Sequence, residues 1–411
     1  MLRALGLGFA NLALGGAQWL SLLLLATLAG RAEAGSWALA TGIAAPLVAL
    51  TAFAPRIILA THPGAPIPAR EWFRLRASTG ALVLPLALLV ALLLRARGAA
   101  LVVVAGLTVA RLIESLGDVL SGFWLRRSTT RPIAIATAAR ATALLSAVLA
   151  ATMAGGRAWQ AALLVLAGYV AVFGLVELRL ARGLGPESTG QGRTWDGATL
   201  KAGALVALVG GLVSLYAGIP RLTLAPVWGL GSVGEFAVLA ALFTVGSPFV
   251  NAAAQANLSR LAKAAGTGDR RRFLSLTTTM MLAAALLGLL LFLGIRELSA
   301  LGVRDIGGVD LARAAVPVRW LGLATIVGYA ETVVMYAGQA AGLFRWQASL
   351  YAGSVLLHAV LAAAFVPRAG VAGAAQALAC ANLAQLAAGV ALLTRARSRQ
   401  PVPVAAGVVP G

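Results

Sequence analysis

Apolar segments of about 20 residues or more recur along the whole chain, separated by short polar stretches. The hydrocarbon core of a bilayer is about 30 Å thick, which about 20 residues of α-helix can cross. Backbone groups that face lipid must pair within their own segment, so each apolar segment is predicted to be a helix. The chain is therefore predicted to be an all-α polytopic membrane protein with about twelve transmembrane helices. The predicted spans are residues 5–29, 35–60, 77–94, 99–125, 132–154, 159–181, 201–219, 232–256, 273–295, 314–341, 346–366 and 370–394.

The composition excludes a soluble globular protein. Hydrophobic residues make up 60% and charged residues 11% of the chain, against about 45–50% and about 25% in soluble domains. The formal net charge of +20 would suggest nucleic-acid binding in a soluble protein. No basic run here has the length or the interleaved aromatic residues of such a binding arm. The basic residues are instead expected to face membrane lipids, and no nucleic-acid partner is expected.

The distribution of basic residues predicts the orientation. With both termini in the cytoplasm, the cytoplasmic segments hold 20 of the 33 Lys and Arg residues and the outer loops hold nine. Lys and Arg are enriched in cytoplasmic loops, so both termini are predicted to lie inside. In this assignment Arg76 lies in a cytoplasmic loop and Arg221 in an outer loop.

The spans divide into two sets of six around the longest polar segment. The predicted units are an N-terminal bundle at 1–181, a cytoplasmic linker loop at 182–200, a C-terminal bundle at 201–394 and a flexible tail at 395–411. Equal halves are typical of transporters built from an internal repeat. No clear residue-level match between the halves is visible.

Ionisable residues inside a membrane helix are costly and usually face a cavity or a partner. The fourth span carries Arg111, Glu114 and Asp118 on one helical face. Arg111 and Glu114 are spaced to pair, and Arg140 of the fifth span is the expected partner of Asp118. Two interpretations stay open: a polar cavity floor, or an ion network that fixes helix packing.

Other polar residues within spans are weaker candidates. Arg56 follows a proline near a span end, Arg319 and Glu331 share the tenth span, and Glu177 is expected at the cytoplasmic surface. Three further spans each carry a pair of amides on one face, which predicts either helix-to-helix hydrogen bonds or a polar lumen. These pairs are Asn11 with Gln18, Asn251 with Gln255, and Asn382 with Gln385.

The sequence lacks the residues that disulfides, metal clusters and nucleotide hydrolysis require. One cysteine and two histidines give neither a disulfide nor a metal cluster, and no phosphate-binding Gly-rich loop is present. No catalytic residues, metal site or cofactor are predicted, and the protein is expected not to be an enzyme.

Three stretches carry a resemblance to a known family. They are Arg111-Leu-Ile-Glu114-Ser-Leu-Gly-Asp118 with Gly122, Arg126, Arg127, Ile133–Ala136 and Arg140; Ile219-Pro220-Arg221 with Gly231, Gly234-Glu235-Phe236 and the polar helix through Gln255 to Arg260-Leu261; and Val366-Pro367 with Gly370 and Val371–Ala375. With twelve spans in two bundles, the chain resembles the polysaccharide (O-antigen type) flippases of the multidrug/oligosaccharidyl-lipid/polysaccharide (MOP) flippase superfamily.

The resemblance implies a function. Such flippases carry a polyprenyl-diphosphate-linked oligosaccharide from the inner to the outer leaflet of the bacterial plasma membrane. They act during polysaccharide biosynthesis, by alternating access around a cationic central cavity. The expected partners are the lipid-linked oligosaccharide, membrane lipids and other polysaccharide-assembly proteins. By resemblance the headgroup-binding candidates are Arg111, Arg140, Arg319 and Arg56, and Glu114, Asp118 and Glu331 would shape the cavity or couple protons.

Three other functions remain open. A cation-coupled multidrug exporter of the same superfamily would favour an acidic, aromatic cavity, whereas aromatic residues are 6% of this chain. A membrane glycosyltransferase or polymerase usually has a long outer loop with acidic residues, and no outer loop here is long. A non-transporting scaffold for polysaccharide assembly would tolerate neutral substitutions at Arg111 and Arg140.

Overall fold

The computed structural model describes residues 2–61, 67–184, 197–301, 303 and 305–395. The described chain is helical apart from one short hairpin, which confirms the predicted fold class. The helices are α1 Leu2–Leu24, continued by a π-helical turn Leu25–Ala29, α2 Arg31–Thr51, α3 Pro55–Thr61, α4 Ala69–Leu93, α5 Ala99–Arg126, α6 Arg131–Met153, α7 Ala158–Ala171, continued by a π-helical turn Val172–Glu177 and α8 Leu178–Ala181, α9 Gly197–Thr244, α10 Ser247–Gly266, α11 Arg270–Ala300, α12 Ala315–Ala340 and α13 Phe344–Arg395.

Ten helical runs among the described residues are long and apolar enough to cross a membrane. Two of them, α9 and α13, contain 48 and 52 residues, more than twice the length that a bilayer core of about 30 Å requires. Both are interrupted at a glycine with positive φ, Gly229 (φ 76°) and Gly370 (φ 54°), which other residues rarely adopt. Each therefore supplies two segments, 197–228 and 230–244 in α9, and 344–369 and 371–395 in α13. All twelve predicted spans are thus helical.

Two predicted spans are not continuous helices. The segment predicted at 35–60 is broken at residues 52–54, between α2 and α3, and Phe53 and Ala54 there have positive φ. The segment predicted at 232–256 is broken at residues 245–246, between α9 and α10. Hydropathy averages over a window, so it does not detect a short interruption inside an apolar segment.

The boundary of α4 also differs from the prediction. The helix begins at Ala69, eight residues before the predicted start at residue 77. Its first two turns carry Arg70, Arg74 and Arg76. These charges lower the mean hydropathy of the two turns, so an apolar window begins only after them. Arg76 therefore lies on a helix and not in a loop.

The turns at Gly30, Gly98, Gly155, Gly229 and Gly370 define one end of the molecule. We call it the outer end, after the orientation predicted from the basic residues, and the opposite end the inner end. A two-residue antiparallel hairpin, β1 Asp305–Ile306 and β2 Val309–Asp310, lies at the outer end between α11 and α12.

Helices pack mostly within two sets. Before residue 182, α5 is central and contacts α2, α3, α4 and α7, while α1 packs on α6. After residue 196, α12 packs on α10, α11 and α13, and α9 on α13. The largest contact between these sets, here called the N-half and the C-half, joins α2 to α9. Of the predicted linker, only 182–184 and 197–200 are described, and of the tail only Arg395.

Candidate functional site

Arg111 and Glu114 form the ion pair that their spacing on α5 predicts. Arg111 Nη1 donates to Glu114 Oε2 across 2.6 Å, and the side chains are 28% and 16% exposed. The positive charge of Arg111 is therefore already balanced by a carboxylate on its own helix.

Arg140 pairs with Glu177 and not with Asp118. Its Nη2 and Nε lie 2.6 and 2.7 Å from Glu177 Oε1, and the two side chains are 8% and 1% exposed. Glu177 was expected at the surface, and that expectation is wrong. Glu177 is the last residue of the π-helical turn after α7. A π-helical turn contains more than 3.6 residues, so the residues after it face a different direction from the one that α-helical periodicity predicts.

The pair needs the space left by a glycine of α5. A β-carbon on Gly117 would overlap both Arg140 Nη2 and Glu177 Oε2. Gly117 lies between Glu114 and Asp118 in sequence, so this stretch of α5 supplies charges on one face and room for a second ion pair beside them.

Asp118 is half-buried and has no hydrogen bond or ion pair within the part of the chain that the structure describes. Three cations act on it electrostatically, Arg140, Arg56 and Arg76. We call these charges, with the two ion pairs, the N-half cluster: Arg56, Arg76, Arg111, Arg140, Glu114, Asp118 and Glu177. With four arginines and three carboxylates, two of them already in ion pairs, the N-half cluster is nearly neutral, which favours the ion network over the polar cavity floor.

Arg76, which was predicted in a loop, donates a hydrogen bond to the backbone at the break between α2 and α3. The residue is 2% exposed, and its Nη1 donates to the carbonyl oxygen of Thr51 across 2.6 Å. Its Nε and Nη2 donate to Ser115 Oγ of α5. The carbonyl freed by the break is thus satisfied inside the bundle, as a membrane interior requires.

The break between α9 and α10 is stabilised in the same manner. Tyr329 Oη of α12 donates to the carbonyl oxygen of Phe243 across 2.6 Å. Each half therefore contains one helix break at which a side chain donates to a free backbone carbonyl. Broken helices commonly line transport sites.

The C-half contains hydrogen-bonded polar side chains. Gln385 Nε2 donates to Glu331 Oε1 across 2.8 Å, and Tyr216 Oη donates to Asn382 Oδ1 across 2.6 Å. Glu331 therefore bonds to an amide and not to Arg319, which lies twelve residues away on the same helix, more than three turns.

The amides of α10 contact a tyrosine of α12. Tyr336 Oη donates to Asn251 Oδ1 across 3.2 Å and accepts from Gln255 Nε2 across 3.1 Å. Asn251, Gln255, Asn382 and Gln385 thus all make contacts between helices, the first of the two roles predicted for them.

Three sequence candidates stand apart from these contacts. Arg319 is exposed near the start of α12, at the outer end, and makes no ion pair with the described residues. Asn11 is exposed and Gln18 half-buried on α1. The structure does not bring them together with the N-half cluster.

Arg221 was predicted in an outer loop but lies within α9, two turns before Gly229. The residue is half-buried, and its Nε is buried without a hydrogen-bond partner. Its stem passes Gly42 of α2, where a β-carbon would lie 3.6 Å from Arg221 Cδ. The fixed helix length of about 20 residues used for the prediction ended this span too early.

The outer ends of the two halves meet through a reciprocal pair of glycines. A β-carbon on Gly35 would lie 3.0 Å from the backbone nitrogen of Gly234, and one on Gly234 would lie 3.0 Å from that of Gly35. Each would also overlap a carbonyl oxygen of the other helix, those of Leu230 and Arg31. Only residues without a side chain permit this approach, which we call the glycine contact.

The glycine contact reveals the internal repeat that the sequence did not show. Gly30 and Gly229 begin α2 and the second segment of α9, with backbone angles φ 100°, ψ 161° and φ 76°, ψ 177°. Gly35 and Gly234 follow five residues after each. The two helices are therefore equivalent elements that cross about a local two-fold axis.

Further contacts close the outer end around the glycine contact. Trp19 Nε1 of α1 donates to the carbonyl oxygen of Ala241 across 3.0 Å. Arg31 and Glu235 form an exposed ion pair at 3.4 Å. Gly307 of the hairpin lies against Ala26 and Val238, one from each half. The halves therefore touch at this end through α1, α2, α9 and the hairpin.

Comparison with known proteins gives structural matches only. No family model matches the chain, and no curated protein matches it. An inward-facing multidrug resistance MATE family transporter of the MOP superfamily superposes with a TM-score of 0.70 at 16% identity, covering 94% of each chain. An outward-facing one superposes with a TM-score of 0.64 at 16% identity, covering 95% of this chain and 94% of the other.

The chain has the fold of a MOP-superfamily transporter. A MOP superfamily transporter from Pyrococcus furiosus, described as having a binding pocket of reverse polarity, also matches, with a TM-score of 0.59 at 17% identity and 96% coverage of both chains.

Proposed function

We propose that this protein carries a polyprenyl-diphosphate-linked oligosaccharide from the inner to the outer leaflet by alternating access. The MOP-superfamily fold supports a transporter. The observation that carries the choice of substrate is Arg221, whose stem lies against Gly42 of the other half and whose buried Nε has no hydrogen-bond partner among the described residues. A diphosphate headgroup is the part of such a substrate that an arginine recognises.

The contacts at the outer end support a state that is closed to the outside. The glycine contact and Trp19 hold the two halves together there. Towards the inner end, residues of α1 such as Asn11 and of α10 such as Gln255 are exposed. We propose that substrate enters from the inner leaflet in this state and leaves when the glycine contact separates.

Cation-coupled multidrug export is the second candidate function. The neighbours described as multidrug resistance MATE transporters favour it. In this chain it would use Glu331, which has an amide partner and no cation partner among the described residues. The transporter described as having reverse polarity shows that binding-pocket charge differs between members of the superfamily, so the fold alone does not choose between the functions.

A sidedness assay tests the proposal. In a strain that lacks the protein, radiolabelled lipid-linked oligosaccharide is expected to accumulate on the cytoplasmic face, and the wild-type protein is expected to clear it. Arg313→Gln is a suitable control because that side chain is 90% exposed. A normal lipid-linked pool in the deletion strain would refute the proposal. Export of a cationic dye that is lost in Glu331→Gln would establish the second candidate instead.

A further inference from the structure

We propose that Arg221, and not the N-half cluster, is the residue that binds the phosphate oxyanion of the substrate headgroup. The assignment rests on the proposed function and changes its site, since Arg111 and Arg140 were the first candidates for this role. The ligand class is a diphosphate or a similar phosphate anion.

Three of the four arginines of the N-half cluster already donate hydrogen bonds within the protein. Arg111 donates to Glu114 at 2.6 Å and Arg140 donates to Glu177 at 2.7 Å. Arg76 donates to a backbone carbonyl and a hydroxyl group. An arriving anion would have to displace these acceptors, and displacing Glu177 would leave a carboxylate buried without a donor.

Arg221 has no such partner in the described part of the chain. Its Nε is buried and donates no hydrogen bond, and Arg221 forms no ion pair with a described carboxylate. A buried N–H group without an acceptor is unfavourable, and Arg221 Nε is such a group among the described residues. An anion that binds to Arg221 during the transport cycle would supply the missing acceptor and would explain an arginine at this place in α9.

The surroundings of Arg221 suit a moving substrate. α2 and α9 approach closely one turn before it, where a β-carbon on Gly218 would lie 3.0 Å from the carbonyl oxygen of Gly42. The stem of Arg221 is therefore fixed against the other half, while the residue as a whole is only half-buried. The guanidinium group lies where the halves meet, so an anion bound there can respond to their relative movement.

The geometry of the guanidinium group favours a phosphate anion. It presents five N–H donors in a planar fork, which matches two oxygens of one phosphate group. The same chemistry is found in a lipid headgroup and in a free diphosphate. The two sources differ in the apolar chain, which only the lipid carries.

The test uses the purified full-length protein in nanodiscs, with inorganic pyrophosphate and farnesyl diphosphate as probes in equilibrium binding. Arg221→Gln is expected to bind both probes roughly 10–100-fold more weakly, since charge-assisted hydrogen bonds are lost. Arg221→Lys keeps the charge without the fork and is expected to lie between Arg221→Gln and wild type. It also serves if Arg221→Gln does not fold. Farnesyl diphosphate is expected to bind more tightly than pyrophosphate, and equal affinity would overturn the lipid as the source.

Two controls separate this proposal from its alternatives. Arg319→Gln removes an exposed arginine, and the charge-neutral pair Arg140→Gln with Glu177→Gln removes the ion pair of the N-half cluster. Both are expected to bind the probes like the wild type. Binding by Arg221→Gln at wild-type strength, or an equal loss in either control, would overturn the assignment.

The sidedness assay then separates failure of the site from failure of the function. If Arg221→Gln loses pyrophosphate binding but the deletion strain has a normal lipid-linked pool, the anion site stands and the flippase function fails. If the deletion strain accumulates the lipid and Arg221→Gln clears it as the wild type does, the function stands and Arg221 is not its headgroup site.

Discussion

Substitution of Arg140 by glutamine tests whether the N-half cluster is structural. Arg140 Nε donates a charge-assisted hydrogen bond to Glu177 Oε1 across 2.7 Å, which contributes about 1.5–3 kcal/mol, and its Nη2 lies 2.6 Å from the same oxygen as an ion pair. Glu177 Oε2 has no hydrogen-bond partner in the described chain, so Arg140→Gln leaves a buried carboxylate with no cation. We expect the free energy of unfolding to fall by about 3–5 kcal/mol, the usual cost of breaking a buried pair.

The double variant Arg140→Gln with Glu177→Gln carries no charge at this place. Two amides of similar shape can bond to each other, so we expect it to recover most of the lost stability, to within about 1 kcal/mol of the wild type. The measurement is reversible unfolding of the purified protein in mixed micelles, with transport measured for the same variants. Transport should follow stability and not charge.

Two results would refute this reasoning. If Arg140→Gln unfolds within about 1 kcal/mol of the wild type, the ion pair does not stabilise the fold as its burial requires. If the double variant is stable but does not transport, Arg140 contacts the substrate directly and the structural interpretation of the cluster is wrong.

Three further predictions concern the breaks and the outer end. Gly234→Ala should force the outer ends of the two halves apart. A cysteine placed at Val238, which is fully buried, should then react faster with an impermeant maleimide. An unchanged rate would contradict the closed outer end. Tyr329→Phe removes the donor to the carbonyl at the α9–α10 break and should lower the free energy of unfolding by about 1 kcal/mol, with no loss showing that the break needs no such donor. Glu235→Gln should change stability by less than about 1 kcal/mol, because its ion pair with Arg31 spans 3.4 Å and both side chains are partly exposed; a larger loss in the same unfolding experiment would mean that the pair fastens the outer end.

The sequence predicted the fold because hydropathy and helix periodicity are local properties. The twelve segments and the Arg111–Glu114 pair follow from window averages and from spacing along one helix. Breaks within a segment were not predicted, because Phe53 and Ala54 adopt positive φ without glycine or proline at those two positions. Their stabilisation by Arg76 depends on a helix that is distant in sequence.

The site was predicted less well, because partners of buried charges come from other helices. Arg140 was correctly recognised as an intramembrane charge, but its partner lies 37 residues further along, after a π-helical turn that no periodicity indicates. Arg221 was missed because its helix extends beyond the apolar window. The local sequence Gly-Ile-Pro-Arg, with charge after an apolar segment, is as typical of a loop as of a long helix.

The interruption between α2 and α3 gives the chain an elbow. Above it, α2 lies along α9 of the C-half, whereas α3 below it lies mainly on α5 of the N-half. A rotation of one half relative to the other would therefore bend this segment and not shear a continuous helix. The three residues 52–54 lie outside both helices, so that bending would be concentrated in a few backbone torsions while the helical hydrogen bonds on both sides stay intact.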